Sequence, residues 1–235
     1  METYTHITEN LSFVHQQIKS ACYKAGRPED AVRLLLATKT VAPDRIRMAI
    51  AAGESLIGEN KVQEYQQKAD ALADLTCERH FIGHLQTNKV KEILRYVTCI
   101  QSVDRLSLAE KLQAQLESLN RTIDIYIQIN TSGEQSKSGV APEEALRLME
   151  QIQGLSRLKV KGLMTIGLFS DEETPVRKSY ALLRAFLDKG QQEGLLPAGA
   201  LELSMGMSGD LDWAIQEGST MVRIGSAVFG KRHYQ

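Results

Sequence analysis

The sequence predicts a single (β/α)₈ barrel over residues 1–235, with an extra helix at its N-terminus. Three observations predict it. Short apolar runs alternate with longer helical stretches, the pattern of a parallel sheet whose strands are joined by crossovers. The runs number eight, which is the count that closes such a sheet into a barrel. The chain has 235 residues, close to the usual size of that fold. An open doubly wound sheet is the rival that the strict alternation disfavours.

The elements follow in order. Residues 8–25 read as the opening helix, because Ile7, Leu11, Val14, Ile18 and Ala21 recur near helical spacing. Gly26 and Pro28 end it. The strand candidates are 33–39, 55–58, 79–83, 98–102, 123–130, 158–166, 201–204 and 221–224. Helical segments lie between them near 43–53, 60–74, 86–95, 105–119, 141–153, 175–193 and 208–218. Pro43–Asp44 and Pro142–Glu143–Glu144 are start signals, and Ser208 is a candidate cap. No linker or low-complexity tract divides the chain. About ten residues follow the last strand, too few for a second domain. The polar segment 167–174 reads as a βα loop.

Composition excludes several functions. Net charge is −1, so there is no basic surplus to neutralise nucleic-acid phosphates. No apolar run approaches the roughly 20 residues of a membrane span. The N-terminus lacks the basic and apolar regions of a secretory signal. Cys22, Cys77 and Cys99 are scattered and odd in number, which reads as reduced thiols in the cytoplasm. His80 and His84 do not share a helix face, so no metal site is expected. Met205, Met207 and Met221 read as core.

Function in such a barrel resides at the C-terminal ends of the strands. Lys39 ends the first strand on the face of Leu35 and Ala37. If that face is interior, Lys39 sits desolvated at the mouth, where its amine becomes a nucleophile towards aldehydes. The alternative is a lysine that snorkels to water. Arg223 lies in an otherwise apolar run, 221–225. A buried guanidinium needs an acceptor, either in a ligand or in a core carboxylate such as Glu202. Gly225, Ser226 and Ala227 open a short helix after the eighth strand, where barrels frequently bind phosphate. Ser204, ending the seventh strand, offers a further hydroxyl. A common Gly-Ser turn is the alternative.

These residues stand within longer motifs: LLLATKT around 35–40, GENKVQE (58–64), HFIGHLQTNK (80–89), SVDR (102–105), INTSGEQSKSGV (129–140), KGLMTIG (161–167) and LSMGMSGDLDWAIQEGSTMVRIGSAVFG (203–230). In this order and spacing the chain resembles the YggS/PROSC family of pyridoxal 5′-phosphate (PLP) homeostasis proteins over nearly its whole length. That family is similar in fold to the N-terminal barrel of alanine racemase. The resemblance implies that Lys39 holds PLP as a Schiff base and that Arg223 faces the pyridine nitrogen. It implies that Ser204, Gly225 and Ser226 bind the phosphate. Asn60 and Met164 line the cofactor pocket by the same resemblance, and Lys137 lies near the cofactor's phenolic oxygen. Lys61, His84 and Ser226 stand where many members have an aromatic, Pro and Thr. The tail 231–235 lacks a lysine pair found in some members, which puts a second PLP site there in doubt.

An arginine beside the ring nitrogen opposes its protonation and makes the ring a weaker electron sink. Racemases of this fold also take a second acid–base group from a separate domain. The expectation is therefore a monomeric, cytoplasmic PLP carrier that stores, buffers or delivers the cofactor, with apo PLP-dependent enzymes as partners and no catalytic residues. The alternative is a small racemase or decarboxylase of the same fold that uses His84 or Tyr65 as its second base.

Overall fold

The computed structural model describes residues 2–134 and 136–230. The terminal lysine question falls on 231–235, outside the described residues. Eight parallel strands close into a barrel in the order of the sequence. They are β1 (Arg33–Ala37), β2 (Leu56–Glu59), β3 (Glu78–Phe81), β4 (Cys99–Val103), β5 (Ile123–Gln128), β6 (Leu158–Met164), β7 (Glu202–Ser204) and β8 (Met221–Ile224). The helices are α1 (Glu2–Lys24), α2 (Pro43–Ala51), α3 (Val62–Lys68), α4 (Val90–Ile93), α5 (Leu106–Ser118), α6 (Ala145–Gln153), α7 (Glu173–Gln192), α8 (Leu211–Gln216) and α9 (Ser226–Phe229). The extra helix at the N-terminus and the barrel both match the sequence reading.

Alternation along each strand sorts residues into two cores. Leu34 and Leu36 point outward into the large cluster beneath the helices. Leu35 points inward, where it joins Leu56, Cys99, Tyr126, Met164 and Met221 in a small cluster that fills the barrel. Burying such side chains contributes about 1.5–3 kcal/mol each. Closure leaves no unpaired sheet edge.

Several boundaries differ from the sequence reading. β1 stops at Ala37 rather than residue 39, because the chain turns there. The segment expected to be one helix over 60–74 ends as α3 at Lys68 and continues as a 3₁₀ turn, Asp70–Leu72. The helix expected over 86–95 is a 3₁₀ turn, Thr87–Lys89, followed by the single turn of α4. The three cysteines are free thiols. Among the described residues no helix is long and apolar enough to cross a membrane, and no cluster of three His, Cys, Asp or Glu residues could hold a metal ion.

Strand β6 approaches β7 closely at Gly162, where an added Cβ would lie 1.8 Å from the Glu202 carbonyl oxygen. Gly162→Ala should therefore force the two strands apart and destabilise the fold by about 1–3 kcal/mol or more. Gly154 meets nothing within 4 Å, so Gly154→Ala should change stability by less than about 1 kcal/mol. Urea denaturation of both variants checks this, and equal midpoints would contradict it.

Candidate functional site

Lys39 lies two residues past the end of β1. The Val41 N–H donates to the Thr38 carbonyl over 3.0 Å, closing a tight turn with Lys39 and Thr40 at its corners. Thr40 has φ +62°, the left-handed region that a β-branched residue rarely enters. Such a conformation costs about 1–3 kcal/mol and persists only where the surroundings enforce it. Thr38 is fully buried, while Lys39 follows Ala37 into an opening at the C-terminal end of the barrel. The sequence reading placed Lys39 on the strand. The turn carries it off the strand, yet it reaches the mouth.

Arg223 points inward from β8 and is 7% exposed. Its guanidinium donates to Ser204 Oγ (2.8 Å) and to the Thr165 carbonyl (2.7 Å). Burial lowers its pKa, opposed by the nearby Tyr180 and Asp210, but a guanidinium keeps its proton in proteins. Among the described residues no carboxylate pairs with it. Glu202, the carboxylate that the sequence left open as a partner, accepts instead from the Tyr126 hydroxyl at 2.5 Å. Beneath Arg223 the polar contacts continue across the barrel. Ser204 Oγ donates to Gln101 Oε1 (2.6 Å), and Gln101 Nε2 lies 2.7 Å from His80 Nδ1.

The opening has a volume of about 350 Å³, within the range of small-molecule sites. Lys39, Arg223, Gly225 and Ser226 line it together. At Gly225 an added Cβ would come within 3.0 Å of the Ala37 carbonyl, so the loop after β8 sits tightly against the end of β1. Ser226 is exposed, its hydroxyl 3.5 Å from that of Ser208. The loop after β6 contributes Phe169 and Asp171, and the loop after β7 contributes Met207 and Asp210. Segment 167–174, read from the sequence as a βα loop, thus supplies part of the rim, while Met207, read as core, is half-buried there. Met205 and Met221 are fully buried, as expected.

The other candidates lie around this opening rather than on it. Ser204 and Met164 are fully buried within the barrel. Asn60 lines a neighbouring recess with His84, and its Oδ1 is buried with no hydrogen-bond partner. Lys137 Nζ donates to Glu134 Oε1 (2.6 Å) and to the Gly167 carbonyl (2.7 Å). It thereby joins the loops after β5 and β6. His84 lies 3.5 Å from Asp104, and the buried Tyr65 hydroxyl donates to the His80 carbonyl. Neither side chain lines the opening that holds Lys39. Gln101, a polar residue legible within β4, joins the network beneath Arg223 and does not line the opening.

The closed barrel, with a lysine after β1 and a glycine-serine turn after β8 at one opening, is that of the racemase-barrel class. The family model for the N-terminal domain of alanine racemase matches residues 27–233. Within that class, the chain belongs to the pyridoxal phosphate homeostasis protein family. A member from Aquifex aeolicus is 45% identical over 96% of this chain and 98% of its own. A member from Pseudomonas aeruginosa is 41% identical over 97% of this chain and 96% of its own. PipY of Synechococcus elongatus PCC7942, solved with PLP bound, is 31% identical with a TM-score of 0.84, covering 95% of this chain and all (100%) of that one. Alanine racemase from Corynebacterium glutamicum shares the fold, with a TM-score of 0.73 at 18% identity, covering 97% of this chain and 62% of that one.

The positions of the two serines separate their roles. Ser204→Ala should leave the buried Arg223 and Gln101 each short of a partner and cost about 1–3 kcal/mol of stability. Ser226→Ala, at an exposed site, should change stability by less than about 0.5 kcal/mol. Thermal or urea unfolding would show the contrast, and equal losses would contradict it.

Proposed function

We propose that this protein binds PLP at the barrel mouth, attached covalently through Lys39, and serves PLP homeostasis by storing, buffering or delivering the cofactor without turning over amino acids. The observation that carries this reading is the convergence of Lys39, Arg223, Gly225 and Ser226 on one opening. The donor set suits the group: an amine for an aldehyde, a guanidinium for a ring nitrogen, and a glycine-serine turn for a phosphate. Bound PLP supplies a reactive aldehyde and an electron-withdrawing ring.

Each residue then has a role in holding it. Lys39 is the point of attachment. Gly225 and Ser226, with the Ser208 hydroxyl nearby, seat the phosphate. Arg223 presents a fixed positive charge that opposes protonation of the nitrogen beside it. Ser204 and Met164 act from below, the first by fixing Arg223 and the second by filling the floor. Asn60 contributes from the side, where its buried Oδ1 has an acceptor site to spare. Lys137 shapes the rim through its bond to the Gly167 carbonyl. The carrier reading is supported by the lining of the opening, which includes neither His84 nor Tyr65, the two suggested second bases. It is supported too by the names of the curated relatives. Apo PLP-dependent enzymes are the partners that delivery requires, and the free thiols suit a reducing compartment.

Protein loaded with PLP should be yellow, and borohydride should fix the label on Lys39. Label mainly on Lys89 or Lys137 would overturn the assignment. Ser226→Ala should loosen PLP about tenfold more than it loosens pyridoxal, because only the former presents a charged acceptor. Holo-protein mixed with an apo PLP enzyme should restore that enzyme's activity. Lys39-dependent exchange of the α-hydrogen of amino acids at typical enzyme rates, about 1–10³ per second, would replace the carrier reading with a racemase.

A further inference from the structure

A buried polar cluster stands behind the Lys39 turn, on the helix side of the sheet. Glu59, the last residue of β2, is 1% exposed, and Lys68, at the end of α3, is 7% exposed. Lys68 Nζ donates to Glu59 Oε1 at 2.7 Å and to the Thr38 carbonyl at 2.8 Å. The Thr38 hydroxyl donates to the same Glu59 oxygen at 2.8 Å. The Thr38 carbonyl also accepts from the Val41 N–H, the bond that closes the turn. One carbonyl oxygen therefore serves both the turn and the buried ammonium.

This arrangement costs the fold something. Glu59 Oε2 is buried with no hydrogen-bond partner. Burial pushes the Glu59 carboxyl up to about 7, against the pull of Lys68 and the Thr38 hydroxyl. Apolar residues of similar volume would stabilise such a place as well or better. The pair sits directly behind a turn that has its own difficulty, the positive φ of Thr40. A strained corner relaxes unless its surroundings hold it, and relaxation here would swing Lys39, the residue between Thr38 and Thr40.

We propose that Lys68, clamped by Glu59, is a positioning residue for Lys39: it anchors the Thr38 carbonyl and so holds the strained turn that directs the Lys39 amine into the opening. The proposal rests on the reading of Lys39 as the lysine that takes PLP. Lys68 does not line the opening. Its effect passes through one backbone oxygen.

The test follows covalent capture of PLP by absorbance, with borohydride mapping of the labelled lysine in every variant. Glu59→Gln combined with Lys68→Met removes the charges while keeping shape. It should retain the fold by circular dichroism and slow capture about tenfold or more, since small misplacements of reacting groups have effects of that size. Adding Thr40→Gly, which makes the positive φ easy, should restore most of the rate. A merely structural pair would not be rescued at residue 40. If the combined variant does not fold, Lys68→Gln is measured alone and with Thr40→Gly against the same two outcomes. Capture at the wild-type rate would overturn the proposal, and so would slow capture that Thr40→Gly leaves slow. Wild-type label away from Lys39 would remove the reading beneath it, whereas label on Lys39 at an unchanged rate would remove the positioning role alone.

Discussion

Four residue pairs join β1 to β8, from Arg33 beside Met221 to Leu36 beside Ile224. Without that seam the sheet would be open, with two unpaired edges. With it, residues from opposite ends of the sequence become neighbours at the mouth. The register carries Ala37 against Gly225, which brings the loop bearing Lys39 beside the loop bearing Ser226. A slip of one residue would turn Arg223 outward among the helices and Val222 inward, because the side-chain period of a strand is two. The site therefore depends on the pairing register as much as on the identity of its residues.

The seam also sets an electrostatic problem inside the barrel. Arg223 brings a permanent charge into a space whose other occupants include Leu35, Leu56 and Tyr126. Its described hydrogen bonds go to a hydroxyl and a carbonyl, so dipoles solvate its charge directly and the nearby Asp210 acts on it only at a distance. The chain through Ser204, Gln101 and His80 spreads that burden across three strands. Under the proposed function a charge with no hydrogen-bonded carboxylate is useful, because it acts on whatever ring nitrogen enters above it.

Much of this is legible in the sequence. The eight strands are readable because each is a short apolar run flanked by turn residues, and Lys39 and Arg223 are conspicuous as charges at inward positions. The turn at Thr38–Val41 is less so. No glycine or proline marks it, and the positive φ falls on a threonine that propensity would assign to a strand. Its enforcement comes from Lys68, which on the sequence alone is one more lysine on an amphipathic helix. The rim residues Phe169 and Asp210 lie in loops whose path is set by tertiary contacts such as the bond from Lys137 to the Gly167 carbonyl. Ser204 shows the same limit in reverse. Its place at the end of β7 is readable, whereas its engagement by Gln101 and Arg223 from two other strands is not.

Helix α1 packs against α2, α8 and α9. Asn10 Nδ2 donates to the Val228 carbonyl of α9 (3.0 Å), and Lys24 pairs with Asp212 of α8. During synthesis, Glu2–Lys24 leaves the ribosome long before either of those helices exists. Of its three helical partners only α2 precedes them, so α1, with its apolar stripe of Ile7, Leu11, Val14 and Ile18, cannot complete its packing until then. Such long-range contacts slow folding and prolong the exposure of apolar surface. Vectorial synthesis thus makes the seat beneath Ser226 one of the last parts of the molecule to be completed. Under the proposed function, a nascent chain carries the amine of Lys39 well before it has the loop that would recognise the proper aldehyde.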